Sequence, residues 1–164
     1  MGGVSLVQRL GTFVRKGIEA ARLDWEPYGT CYFLPLRIAD RLNLVNVWTQ
    51  PGYVSEWYIY QQLHKDKFDA KTLLCGDFNS FEGNKKTAAS FRTHENCVSQ
   101  LEEVGLMQNK NSEPTFYFHY NIEKPFRLDY CFAPISLVSK VEVGSPDKWL
   151  EYSDHIPLVI DLVE

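Results

Sequence analysis

At 164 residues the chain has the length of one domain with a buried core, and 45% hydrophobic with 23% charged residues are ordinary for a soluble globular protein. A formal net charge of -4 excludes a protein that holds nucleic acid through a strongly basic surface alone. No apolar run approaches the ~20 residues that span a bilayer, and the N-terminus lacks a signal-peptide layout, so no membrane partner and a cytoplasmic location are expected.

Aromatics at 14% favour a β-rich or mixed core. Segments 30–36 and 42–48 read as strands, the second with clean period-two alternation, and Ala39-Asp40-Arg41 suits the turn between them. Pro51-Gly52 ends the second strand. Ser55 is a plausible N-cap for a helix to about His64, with Trp57, Tyr60 and Leu63 at helical spacing. Residues 71–75 form a short buried strand, and a second helix over about 95–104 ends near Gly105. Strands are expected at 115–120, 126–132, 137–143 and 156–162, with prolines at or between their edges. This interleaving predicts a layered α/β or α+β sandwich. None of the four cysteines forms a C-x-x-C pair, and Cys75 and Cys131 read as reduced core residues.

Three segments carry chemistry. In the first, the apolar Leu73-Leu74-Cys75 runs into Gly76-Asp77-Phe78-Asn79. Strand ends present catalytic groups to clefts; Asp77 can accept a proton, orient water or hold a hard cation, and Asn79 can donate to a phosphate oxygen. A plain turn would use the same residue types. In the second, Ser153-Asp154-His155 precedes an apolar run. Asp154 suits a hard cation and His155 suits a general base or a phosphoryl contact, while a surface Asp beside a satisfied core His is the plain alternative. In the third, Asp129 sits inside the apolar strand of Phe126 to Phe132. A carboxylate there is costly unless paired, and a histidine is the expected partner.

Together, Gly76-Asp77-Phe78-Asn79, Arg127-Leu128-Asp129-Tyr130 and Ser153-Asp154-His155-Ile156-Pro157-Leu158 resemble, in order, the motifs of the endonuclease/exonuclease/phosphatase superfamily. That superfamily includes exonuclease III, apurinic endonucleases and deoxyribonuclease I. Leu44 to Thr49 resembles the strand before the first motif, and Gly3 to Arg9 an earlier strand. The resemblance implies a single domain over residues 1–164 with a partial four-layer α-β-β-α sandwich of the deoxyribonuclease I-like type. It implies metal-assisted hydrolysis of a phosphodiester, which could be DNA, with magnesium or manganese as cofactor. Asp77 would orient or deprotonate water and help hold the metal. Asn79 would contact the scissile phosphate, Asp154 would be a metal ligand, and His155, oriented by Asp129, would contact the phosphate. His94 falls in a stretch that also looks shared: it could line the cleft or simply start a helix.

The active-site Asn and metal-binding Glu that usually open such domains have no counterpart here. The resemblance therefore implies a domain lacking its N-terminal part, self-association through exposed sheet surface, and, as the alternative function, an inactive domain serving in binding.

Overall fold

The computed structural model describes residues 10–26, 32–49, 54–83, 92–108 and 113–163. In chain order these form β1 (Ala20–Arg22), β2 (Phe33–Ile38), β3 (Leu42–Trp48), α1 (Val54–Leu63), β4 (Thr72–Asp77), α2 (His94–Glu103), β5 (Met107–Gln108), β6 (Phe116–Tyr117), β7 (Pro125–Phe126), β8 (Asp129–Ala133), β9 (Val138–Val143), α3 (Pro146–Trp149) and β10 (Leu158–Leu162). The main sheet has the order β1-β2-β3-β4-β8-β5, and β9 pairs with β10 and β6 with β7 in two small sheets. Among the described residues only β3 and β4 pair in parallel, joined by the crossover that contains α1. The architecture is the expected mixed α/β type.

The central strands of the main sheet are buried on both faces, and the alternation in β3, β4 and β8 assigns side chains to each. Val45, Val47, Leu74, Tyr130 and Phe132 pack with Trp57 and Tyr60 of α1 and Cys97 and Leu101 of α2. On the opposite face Leu73, Cys131 and Ala133 pack with Val138 of β9, flanked by Val141 and Ile160. Helices, main sheet and the β9–β10 hairpin thus stack as three layers. Cys75 is a free thiol, and burial pushes it up to about 11. No helix among the described residues is long and apolar enough to cross a membrane.

Several boundaries differ from expectation. β2 runs through Ile38 because its ladder with β3 continues to the pair Ile38↔Leu42. The connection follows through Ala39 and Asp40, both at positive φ (47° and 52°). Residue 55 lies inside α1, not at its cap, and Leu63 is 64% exposed, because the buried stripe is Trp57, Tyr60 and Gln61. Thr93 caps α2 by accepting from the Asn96 amide at 3.2 Å, so that helix starts at His94. The strand expected at 115–120 stops at Tyr117, where His119 and Tyr120 take positive φ. The strand expected at 126–132 is split. Phe126 pairs with Phe116, whereas Asp129 to Ala133 join the main sheet, and the Phe78 amide donates to the Leu128 carbonyl at 2.8 Å. The last strand begins at Leu158, since Ile156 donates instead to Thr115 and Pro157 has no N–H. Strands β1 and β5 were not expected: β1 is exposed throughout, and β5 has only two residues. The segment expected as an early strand at 3–9 lies outside the described residues.

Gly76 sets how closely β3 and β4 approach. Its φ is 143°, and a Cβ there would lie 1.9 Å from the Val47 carbonyl oxygen. Gly76→Ala must push apart two paired central strands, so we expect a loss of roughly 3 kcal/mol or more in urea unfolding. A wild-type midpoint would show that the strand pair yields easily.

Candidate active site

The site is built where β4 ends beside β8. Their antiparallel register sets Asp77 directly opposite Asp129. Both strands have already buried apolar side chains on both faces, so neither carboxylate can be moved without shifting a core strand. Asp77 is held from below by the backbone, as its carbonyl accepts from the Thr49 amide at 2.9 Å. The next residues then turn sharply away, with Asn79 at φ 45°. That turn folds Asn79 back onto the carboxylate. Its backbone N–H donates to Asp77 Oδ1 at 2.8 Å, and its Nδ2 donates to Asp77 Oδ2 and to the Thr49 carbonyl, each at 2.7 Å. Both amide hydrogens of Asn79 are thereby engaged by protein acceptors.

His155 arrives from the segment before β10. Residues 115–117 hold it there: the Tyr117 amide donates to the Asp154 carbonyl at 2.8 Å, the Ile156 amide donates to the Thr115 carbonyl at 2.7 Å, and Phe116 bridges to His155. The Phe116 ring lies 4.7 Å from the imidazole, centroid to centroid. Thr115 is fully buried, and its hydroxyl oxygen accepts from the backbone N–H groups of both Leu128 and Asp129, at 3.1 and 3.0 Å. One threonine therefore ties the Asp129 segment and the His155 segment together. In the sequence Thr115 only opens the strand expected at 115–120, and nothing there assigns it this role.

The imidazole Nδ1 is 2.9 Å from Asp129 Oδ2, and its Nε2 is 4.0 Å from Asp77 Oδ2. The side chains of Asp77, Asp129 and His155 are 14%, 18% and 34% exposed, so they line a cleft and are not sealed in the core. Asp129 meets the histidine expected for it, and the carboxylate acceptor fixes Nδ1 as the protonated nitrogen. Burial, reinforced by Asp129, pushes the Asp77 carboxyl up to about 6 against the hydrogen bonds from Asn79. Burial acts to lower His155, but the bond to Asp129 and the charges of Asp129, Asp77 and Asp154 outweigh it, so its pKa lies above the ordinary 6.5. A cavity of about 420 Å³ opens beside Asp129 and His155, walled by Cys75, Trp149, Ile156 and Ile160.

The structure thus brings Asp77, Asn79, Asp129 and His155 into one connected set. Asp154 stands next to it, half-buried, with its charge acting on His155. His94 is not part of this set: it is the first residue of α2, buried, with Nδ1 2.9 Å from Ser80 Oγ. Among the described residues no three Asp, Glu, His or Cys side chains are gathered so as to hold a metal ion. The carboxylates nonetheless suit a magnesium ion, which keeps several waters and is commonly held by one or two carboxylates plus substrate phosphate. Burial first, and then the charge of Asp129, raise Asp77, and a cation at the carboxylates would act in the opposite direction.

No protein-family model and no curated protein matches the chain. Solved structures do. The endonuclease domain of TRAS1, a telomere-specific non-LTR retrotransposon, superposes with a TM-score of 0.64 at 21% identity, over 89% of this chain and 67% of that one. The 3′ phosphatase NExo from Neisseria, bound to a product DNA hairpin, gives 0.64 at 15% identity, over 92% of this chain and 72% of that one. An endonuclease/exonuclease/phosphatase from Beutenbergia cavernae gives 0.57 at 21% identity, over 89% of this chain but only 44% of its own length. The chain has the endonuclease/exonuclease/phosphatase fold. At these identities the likeness concerns the fold, in its deoxyribonuclease I-like form, and the chemistry rests on the residues described above.

Asp129→Asn tests the electrostatics. With the Asp129 charge gone, the pKa values of both His155 and Asp77 should fall, read by NMR titration. A group raised on folding stabilises fully below its unfolded pKa, near 6.5 for histidine, and that stabilisation fades as pH rises through the folded value. The stability cost of Asp129→Asn should therefore be larger at pH 6 than at pH 9. A His155 titration unchanged by the substitution would show that the pair does not set its charge.

Proposed function

We propose that this chain is a phosphodiester hydrolase of the endonuclease/exonuclease/phosphatase superfamily. The observation that carries this reading is the line Asp77–His155–Asp129, with one carboxylate fixing the imidazole and the other facing its free nitrogen. With a pKa of about 6, Asp77 is ionised near neutral pH yet more basic than an ordinary carboxylate, which suits it to take a proton from an attacking water. His155, protonated at Nδ1 by its bond to Asp129, turns Nε2 toward Asp77. Its raised pKa favours the doubly protonated form, whose Nε2–H can donate to a phosphoryl oxygen. Asn79 has no amide hydrogen left for phosphate, so its role here is to position Asp77, in place of the direct phosphate contact that the sequence resemblance implies. Asp154 and Asp77 would hold the divalent cation, magnesium or manganese. Such a cation supplies charge to the phosphoryl oxygens and the leaving group. Neisseria NExo, bound to a DNA hairpin, supports a nucleic-acid substrate by analogy of fold.

A second reading, an inactive domain that only binds, draws on the lack of a three-ligand metal group among the described residues. Turnover separates the two. The chain should hydrolyse bis-p-nitrophenyl phosphate with added magnesium or manganese, and EDTA should abolish the rate. His155→Ala and Asp154→Ala should each lower kcat/KM by roughly 100-fold or more. Folded protein with no EDTA-sensitive turnover at high enzyme concentration would sink the hydrolase reading and leave the binding one.

A further inference from the structure

A second cavity, of about 630 Å³, lies on the α2 side of the same segment and includes Phe81, His94, Phe126, Arg127 and Tyr130 in its walls. A row of rings leads to it from the candidate active site. His155 meets Phe116 at 4.7 Å, Phe116 meets Phe126 at 6.3 Å, and Phe126 meets Phe81 at 5.6 Å, all between centroids. The hydrolytic reading uses neither the far end of this row nor the cavity.

Arg127 is the unexplained group. Its guanidinium lies 4.8 Å from the Tyr130 ring, and its Nε and Nη2 are buried without a hydrogen-bond partner. None of the ion pairs among the described residues includes it. A guanidinium remains charged even where burial lowers its pKa, and buried charged donors without acceptors are costly. Nε and Nη2 form one edge of the guanidinium fork, the edge that meets two oxygens of one phosphate side by side. His94 cannot share that task, because burial pushes it down to about 4 and leaves it neutral.

The other charges in the cavity wall are the carboxylates of Glu82, exposed at the rim, and Glu95, which accepts from the Gly83 amide at 2.6 Å. One cation facing two carboxylates disfavours a dianion such as a terminal phosphate. It tolerates a singly charged diester. Phe81 and Phe126 beside it offer faces on which a base can stack.

We propose that this cavity is a second nucleotide subsite, where the unpartnered Nε–Nη2 edge of Arg127 swings out to meet an internal phosphodiester and Phe81 and Phe126 receive the adjoining base. The ligand class is a nucleic-acid strand running past the scissile phosphate, not a mononucleotide. The proposal rests on the hydrolase reading for its place in catalysis, but its binding claim is tested without turnover.

Anisotropy of a labelled single-stranded hexanucleotide in EDTA provides that test. Arg127→Gln should weaken binding at least 10-fold. Arg127→Lys, which keeps the charge and loses the fork, should weaken it less. Phe81→Ala, outside the buried core, should weaken it about 10-fold, and it serves if the Arg127 variants do not fold. Unlabelled diester dinucleotide should compete far better than inorganic phosphate or a nucleoside 5′-monophosphate, and Glu82→Gln should narrow that gap. Equal binding by wild type, Arg127→Gln and Phe81→Ala would overturn the proposal, as would equal competition by monophosphate and diester. Absence of bis-p-nitrophenyl phosphate turnover would instead strike the hydrolase reading, leaving the binding result to stand or fall by itself.

Discussion

The placement of β4 between a parallel neighbour and an antiparallel one is the constraint on which the site depends. Pairing with β3 fixes its height, pairing with β8 fixes which residue faces Asp77, and Gly76 lets the β3 backbone come close enough for both ladders to form. The consequence is electrostatically awkward. Two carboxylates end up side by side in a partly buried position, and the charge of Asp129 adds to burial in opposing the ionisation of Asp77. A sheet end optimised for stability alone would not carry them. The surrounding groups answer the conflict differently at the two acids. Asp77 keeps a raised pKa and is steadied by Asn79, while Asp129 is matched with an imidazole.

This division of labour follows from which elements reach each acid. Asp77 is the last residue of its strand, so the turn after it can curl back and supply Asn79. Asp129 is the first residue of its strand, and what lies beside it is the Thr115–Tyr117 segment, which brings His155 along. Thr115 joins the two arrivals, because the same hydroxyl oxygen accepts from Leu128 and Asp129 while the Thr115 carbonyl accepts from Ile156. The short β6–β7 pair is therefore a clamp on the histidine more than a piece of core.

What the sequence made legible was local. Strand β3 was read to its ends because seven residues alternate without interruption and both faces are used. The need of Asp129 for a partner was also legible, since an acid flanked by Leu128, Tyr130 and Phe132 has few other ways to be tolerated. What stayed hidden depended on distant neighbours. Leu63 has the spacing of a core residue, yet the turn of α1 it occupies faces solvent, so periodicity alone misplaced it. The break between Phe126 and Asp129 could not be seen either: the apolar run is continuous, but its two ends pair with different sheets. Thr115 opens an expected strand and Arg127 opens a resembled motif, yet neither string shows why the residue matters, one through the amides it receives and the other through the acceptors it lacks.

Asn79 shows how much a turn adds to what a motif's composition can say. As a string, Gly-Asp-Phe-Asn offers an amide next to an acid, and an amide can reach outward to phosphate. In three dimensions the positive φ at Asn79 turns that amide inward, where two acceptors stand at 2.7 Å. Reaching a ligand would mean giving up one of these two bonds, and the one to the partly buried carboxylate is of a stronger kind. The turn geometry, which the string does not encode, therefore assigns Asn79 to Asp77. Across the cleft from Asp77 stands the Nε2 of His155, whose protonation depends on both acids at once.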